Sequence, residues 1–339
     1  MLASMPLWES LAGLRVQVDG YTLQRRELRT ASGWRRVTTT VLLEGAGETG
    51  QGEDVTYVPT AHDHMPADLA LAGTWTVEEL SRRLDELDLW RGDPDDRVSR
   101  DHRRWAFESA VLDLALRQAE LSLEEALGRE AQPVRFVVST RERIERWLEL
   151  APLLEFKLDV EADWDRPLME RLAALDRVRV LDLKAYYRGT SVDLAPDPAL
   201  YRAVAESFPE AVIEDPWLDD GCREALAGAE ERLSFDAPIH SLADLDALPL
   251  KPRWLNVKPS RFGSLRRLLE CVEACEERGI RMYGGGQFEL GPGRRQIQRL
   301  AGVFYPDGPN DVAPSAYNEG GPRPGLPQSP LPPPGGAGF

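Results

Sequence analysis

Phe156-Lys157-Leu158-Asp159-Val160 and Leu181-Asp182-Leu183-Lys184-Ala185 decide the architecture of this 339-residue chain. In both, charged residues alternate with apolar ones, and a strand sends alternate side chains to opposite faces, so both charges of each pair share a face. A lone buried charge costs several kcal/mol, roughly 3 or more, unless it is paired or metal-bound. Strands that repeatedly present charge inward therefore mark a place where ions meet. Three later apolar runs carry charge in the same way: 211–215 at Glu214, 233–236 at Asp236 and 254–259 at Lys258. Each interval between 182, 214, 236 and 258 accommodates a helix and two short loops. Segments 198–208, 221–232 and 264–278 show the three- and four-residue apolar spacing of those helices. With 133–140 and 153–160 as the first two strands and 281–288 as the seventh, the pattern predicts an α/β fold, a (β/α)7β TIM-like barrel.

Composition sets limits around that reading. The length suits a barrel plus a modest second domain, and 42% hydrophobic residues can fill both cores. The expected division is an N-terminal α+β domain over 1–130, the barrel over 131–318 and a disordered tail over 319–339, rich in proline and glycine. A net charge of −16 argues against nucleic acid or an anionic membrane as partner. No run approaches the ~20 apolar residues of a membrane span, and the start, Met1-Leu2-Ala3-Ser4-Met5-Pro6-Leu7-Trp8-Glu9, lacks the features of a signal peptide, so a cytoplasmic location is expected. Cys222, Cys271 and Cys275 form neither a disulfide framework nor a zinc pattern and read as reduced packing residues.

The ordered set Lys157-x-Asp159, Asp182-x-Lys184, Glu214-Asp215-Pro216, Asp236 and Asn256-Val257-Lys258-Pro259-Ser260-Arg261-Phe262-Gly263 resembles the barrel of the enolase superfamily, closest to its muconate-lactonizing and mandelate-racemase-like branches. Upstream, the segment 41–53 resembles that superfamily's capping-domain hairpin, and 107–117 resembles a helix leading into the barrel. The similarity spans roughly 14–318, and its specificity lies in the order and spacing of the motifs. It implies that 1–130 is a capping domain with lid loops, and that the protein is a lyase or isomerase removing the α-proton of a small carboxylate substrate through a metal-stabilised enolate. Dehydration-type elimination and isomerisation both fit. A homo-oligomer is expected from the family.

Asp182, Glu214 and Asp236 are three hard oxygen donors at consecutive strand ends, suited to Mg2+, with Mn2+ fitting the same ligands. By resemblance they are the superfamily's metal ligands, and Lys258 is the base. Its pKa is expected to be lowered by burial and neighbouring positive charge. The second strand departs from the muconate-lactonizing pattern of Lys-x-Lys, because Asp159 stands where the catalytic lysine belongs. Lys184 occupies a position usually held by an amide and is read as the displaced ammonium, joined to Lys157 and Asp159 in the catalytic set. His62, His240, Gln287 and Glu289 are candidate substrate contacts. The loop around His62 is expected to be a loosely held lid, given Gly50 and Gly52. Two other readings stay open at this point: a silent metal- and carboxylate-binding protein, and a structural assembly protein whose strand-end acids only pair with lysines.

Overall fold

The computed structural model describes residues 5–339 apart from 31–32, 93, 95, 142, 191 and 320. Residues 1–4, part of the start read for a targeting signal, lie outside the described residues. The N-terminal part holds strands β1 (Arg15–Val18), β2 (Gly20–Arg29), β3 (Arg35–Gly45), β4 (Glu48–Asp54) and β5 (Gly73–Thr76), with β2-β3-β4 antiparallel and β1 paired with β5. Ala46 and Gly47, both at positive φ (49° and 82°), make the two-residue turn between β3 and β4 that matches the twist of a hairpin. The helix Val98–Gln118 lies directly on β4. Gly50 and Gly52 make this possible, because a Cβ at either would run into the carbonyls of Ala110 or Ala106. These glycines serve close packing rather than the loose lid expected from the sequence. The same helix buries Arg103, whose guanidinium lies 2.9 Å from Asp54 with both side chains fully enclosed.

The second part is a curled parallel sheet of β6 (Val138–Thr140), β7 (Phe156–Asp159), β8 (Val178–Asp182), β9 (Val212–Glu214), β10 (Leu233–Phe235), β11 (Trp254–Val257) and β12 (Arg281–Gly284), adjacent in chain order. Asn310 and Asp311 bridge to Phe136 and Gly285, beyond its two outer strands. Asp165, Asp197, Asp219 and Ser264 cap the helices Arg166–Ala174, Pro198–Ser207, Asp220–Ala225 and Leu265–Arg278 by accepting first-turn N–H groups. The single helix expected over 221–232 is split, with Gly228 at φ 88° between Asp220–Ala225 and the 3-10 turn Glu230–Arg232. Among the described residues no helix is long and apolar enough to cross a membrane. The three cysteines are free and buried.

The tail is not disordered as its composition suggested. Leu331 exchanges backbone hydrogen bonds of 2.8 Å with Val134, and buried Arg299 donates to the carbonyls of Pro334 (2.7 Å), Gly336 (2.8 Å) and Gly338. Phe339 packs edge-on against Trp105 of the helix Val98–Gln118 at 6.1 Å. Prolines lose little backbone entropy on ordering and keep their carbonyls, so a buried arginine can organise such a segment without a helix or strand.

Candidate active site

Parallel register sets Asp159 beside Asp182 and Asp182 beside Glu214, so three carboxylates form a row across the ends of β7, β8 and β9. Lys157 lies one pleat deeper on the same face, 1% exposed, with its Nζ against Glu214 Oε1 and 3.0 Å from Asp182 Oδ2. Lys184 and Asp215 follow β8 and β9 with φ of 52° and 51°. That left-handed backbone costs an L-residue about 1 kcal/mol or more and is tolerated where the surroundings enforce it. Here it interrupts the strand alternation that would turn Asp215 away from Glu214. Lys184 Nζ comes to 2.6 Å from Asp182 Oδ2 and 3.2 Å from Asp159 Oδ1. One carboxylate oxygen each from Asp182, Glu214 and Asp215 lie within 4.8 Å of one another, all three side chains being buried.

Asp236, expected as the third member of that cluster, is drawn elsewhere. It lies just past the end of β10, and its Oδ2 is 2.7 Å from Lys258 Nζ, 3.5 Å from Arg261 Nη2 and 3.3 Å from the Tyr187 hydroxyl. Its Oδ1 is buried with no hydrogen-bond partner among the described residues. Asp215 accepts the N–H groups of Asp236 (2.8 Å) and Ala237 (3.0 Å), tying the two acids together. Glu214 Oε2 accepts from Tyr283 Oη and from Asn256 Nδ2 at 3.1 Å.

Burial works against every charge in this mouth, and the neighbours decide which charges survive. Lys157 and Lys184 outweigh burial at Asp182 and hold it well below the carboxylate range, and Arg261 and Lys258 hold Asp236 down to about 2. Burial pushes Glu214 up to about 8, opposed by Lys157 and reinforced by Asp182 and Asp236. Asp215 is pushed up to about 7 by burial, then by Asp236 and Asp182. At Lys258 burial works to lower the pKa of the ammonium, but Asp236 outweighs it and lifts Lys258 above an ordinary lysine. Five carboxylates (Asp159, Asp182, Glu214, Asp215, Asp236) thus face four cations (Lys157, Lys184, Lys258, Arg261). The cluster of hard oxygens, with Glu214 and Asp215 held back from ionising by burial and by the carboxylates of Asp182 and Asp236, and the unpartnered Asp236 Oδ1 suit a small divalent cation.

The remaining candidates from the sequence divide. His62 is enclosed in the N-terminal part, with Nδ1 2.9 Å from Thr39 Oγ1 and Nε2 2.9 Å from the Thr56 carbonyl, so neither nitrogen is left for substrate. His240 bridges the domains, its Nδ1 3.1 Å from the Arg261 carbonyl and 3.4 Å from Asp101. Gln287 accepts from the Tyr57 hydroxyl at 2.8 Å, and Glu289 accepts the Gln287 N–H at 2.6 Å and pairs with Arg294 at 2.9 Å, so both brace the rim. Gly285 lets Lys258 pass, since a Cβ there would lie 2.7 Å from Lys258 Cε. Sequence reasoning missed Asp215, Tyr187, Asn256, Arg261 and Tyr283 as site residues. Asp215, Asn256 and Arg261 stand within the motifs named above, but a period of two pointed Asp215 the wrong way, and nothing local marks Tyr187 or Tyr283.

The chain matches the family described as "Domain of unknown function (DUF8230) C-terminal domain" over residues 130–319 and the corresponding N-terminal domain over 9–126. An o-succinylbenzoate synthase from Enterococcus faecalis is 27% identical over 223 residues, 61% of this chain and 59% of that protein. An N-succinylamino acid racemase from Amycolatopsis is 29% identical over 216 residues, 58% and 56% respectively. The chain therefore spans less than two thirds of the length of these curated relatives. Among solved structures, a dipeptide epimerase from Methylococcus capsulatus, complexed with Mg and the dipeptide L-Arg-D-Lys, has a TM-score of 0.67 at 19% identity, covering 89% of this chain and 92% of that one. A muconate cycloisomerase from Pseudomonas fluorescens has a TM-score of 0.66 at 17% identity, covering 88% and 87%. The fold is shared with these enzymes.

Proposed function

This chain belongs to the DUF8230 family, and we propose that it is a divergent member of the enolase superfamily, a divalent-metal-dependent enzyme that removes the α-proton of a small carboxylate substrate. The observation that carries the reading is the buried cluster of Asp182, Glu214 and Asp215, with Asp236 beside it and Lys258 on Asp236. We read the curled sheet, bridged beyond both edges by Asn310 and Asp311, as a (β/α)7β barrel. Asp182, Glu214 and Asp215 would hold Mg2+, and Asp236 Oδ1 is the further donor at hand. The cation supplies positive charge where the substrate carboxylate gains negative charge on losing its proton, usually the largest single contribution to such catalysis.

The chain's own residues do the rest. Lys258 accepts the α-proton at Nζ while the C–H electron pair passes into the enolate. To do so it must first be neutral, and Asp236 is the group that keeps it charged. Lys184, tied to Asp159 and Asp182, is placed to return a proton, to the α-carbon in an isomerisation or to the leaving group in an elimination. Substrates of the dipeptide or N-acylamino acid kind, named for the relatives, head the panel to be tried.

Calorimetry should show one Mg2+ bound per chain, with Glu214→Ala and Asp215→Ala each abolishing binding. In deuterated solvent with Mg2+, the protein should exchange the α-proton of at least one acid in a broad panel. Undiminished metal binding in both variants sinks the metal assignment. Metal binding without exchange of any acid would leave a silent carboxylate binder.

A further inference from the structure

His102 stands on the capping helix Val98–Gln118, 2% exposed, and neither ring nitrogen has a hydrogen-bond partner among the described residues. Burying an unpaired polar group costs about 1–3 kcal/mol, so a fold keeps such a ring at a cost that packing alone does not require. Its position is informative. Its ring lies 6.4 Å from that of Tyr57, which rises from the segment after β4 and is held at the barrel rim by Gln287. Its chain neighbour Asp101 reaches His240 from the loop after β10. The charged groups around it are Arg261, Asp54, Arg36 and His240, and Arg261 is the residue that closes on Asp236 beside Lys258. Arg261 Nε, and the Asp236 Oδ1 of the carboxylate that Arg261 closes on, are likewise buried without a hydrogen-bond partner among the described residues. Burial first, and then Arg261, hold the His102 imidazole neutral, down to about 3, so it offers one donor and one acceptor across the ordinary pH range.

We infer that His102 is a substrate-contacting residue beneath the cap, giving one hydrogen bond to an uncharged polar group, a hydroxyl or an amide, on the part of the acid away from its α-carbon. The inference rests on the proposed reaction and adds a specificity-determining residue to it. The charge of that substituent follows from the surroundings. A cationic group would meet Arg36 and Arg261. A second carboxylate would find the donors of Arg36 already spent on the carbonyls of Val37, Val55, Thr56, Gln287 and Phe288. A neutral imidazole matches a neutral partner.

The test compares His102→Leu and His102→Gln with wild type, in thermal melting and in α-proton exchange of the acid that wild type exchanges best. A residue kept for ligand rather than for packing gives His102→Leu a melting temperature at or above wild type. The same variant should lose about 3- to 10-fold in kcat/KM, the value of one neutral hydrogen bond, mostly through KM. His102→Gln, which keeps a donor and an acceptor, should recover most of that loss. A melting temperature several degrees below wild type in His102→Leu, or an unchanged kcat/KM, overturns the inference while leaving the proposed reaction standing. Absence of exchange by wild type with every acid overturns both.

Discussion

Lys184 and Lys258 hold opposite sides of one buried charge cluster, and their partners assign them different work. Lys258 touches Asp236 and, through it, shares in the contacts of Arg261 and Tyr187, whereas Lys184 is divided between Asp159 and Asp182. Lys258→Ala is therefore expected to lower α-proton exchange by about 10²–10⁴, the usual loss for a positioned general base. Lys184→Ala should spare exchange and slow turnover, because its proton is needed after the C–H bond has broken. Exchange and turnover followed together by NMR in deuterated solvent separate the two. Equal loss of exchange in both variants would mean that the lysines act as one charge unit. Asp159→Lys is the companion variant, since it restores the Lys-x-Lys pattern of the resembling branch and sets a second ammonium beside Lys184. Turnover should fall in it, as Lys184 loses the carboxylate that shares its position.

Among the elements, the joint between the capping helix and the loop after β10 carries a titratable contact. His240 Nδ1 lies 3.4 Å from Asp101 Oδ2, and although burial opposes its charge, Asp101 outweighs burial and raises the imidazole above its ordinary value. A histidine raised on folding contributes stability that is fully present below its unfolded value of about 6.5 and is lost as pH rises through the folded value. Unfolding by urea at a series of pH values should show this joint strongest on the acid side and weakening as His240 deprotonates. Asp101→Asn should flatten that part of the profile. An unchanged profile in the variant would assign the dependence to another group. Glu53 of β4 makes the second joint, accepting the N–H groups of Leu290, Gly291 and Gly293 at the start of the helix Gly293–Phe304, where a carboxylate also suits the helix dipole.

Over the whole molecule, the N-terminal part and the parallel-sheet part are held together at several places, and one of them is the segment that composition marked as unstructured. Arg299, fully buried on a barrel helix, gathers three carbonyls of the tail, and the tail returns Phe339 to Trp105 and a backbone N–H to Asp113 of the capping helix. Arg299→Ala should release this strap. We expect a loss of at least ~2 kcal/mol in chemical denaturation, given that hydrogen bonds from a charged donor are each worth about 1.5–3 kcal/mol and do not add fully. Limited proteolysis should then cut within 322–339 while sparing the barrel. A variant as stable and as resistant as wild type would show that the tail packs without its arginine.

Alternation and spacing were enough for the seven strands, their order and the charged face of the sheet, because period and loop length are local properties that survive without a partner. The same local rules placed Lys157, Asp159, Asp182 and Glu214 on one mouth. They failed at Asp215, where a left-handed residue at the strand end overrides the period, and at Asp236, where Lys258 and Arg261 pull the carboxylate away from its expected neighbours. They failed again at His62, enclosed by Thr39 and Thr56, and in the tail, ordered by distant partners that include Val134, Arg299, Asp113 and Trp105. Each of these depends on which groups meet across long stretches of chain, and for buried charges that meeting outweighs any local preference. The fold and the row of acids were thus determined by the sequence read along its length; the pairing of each charge, and with it the protonation of the site, was decided only by the tertiary structure.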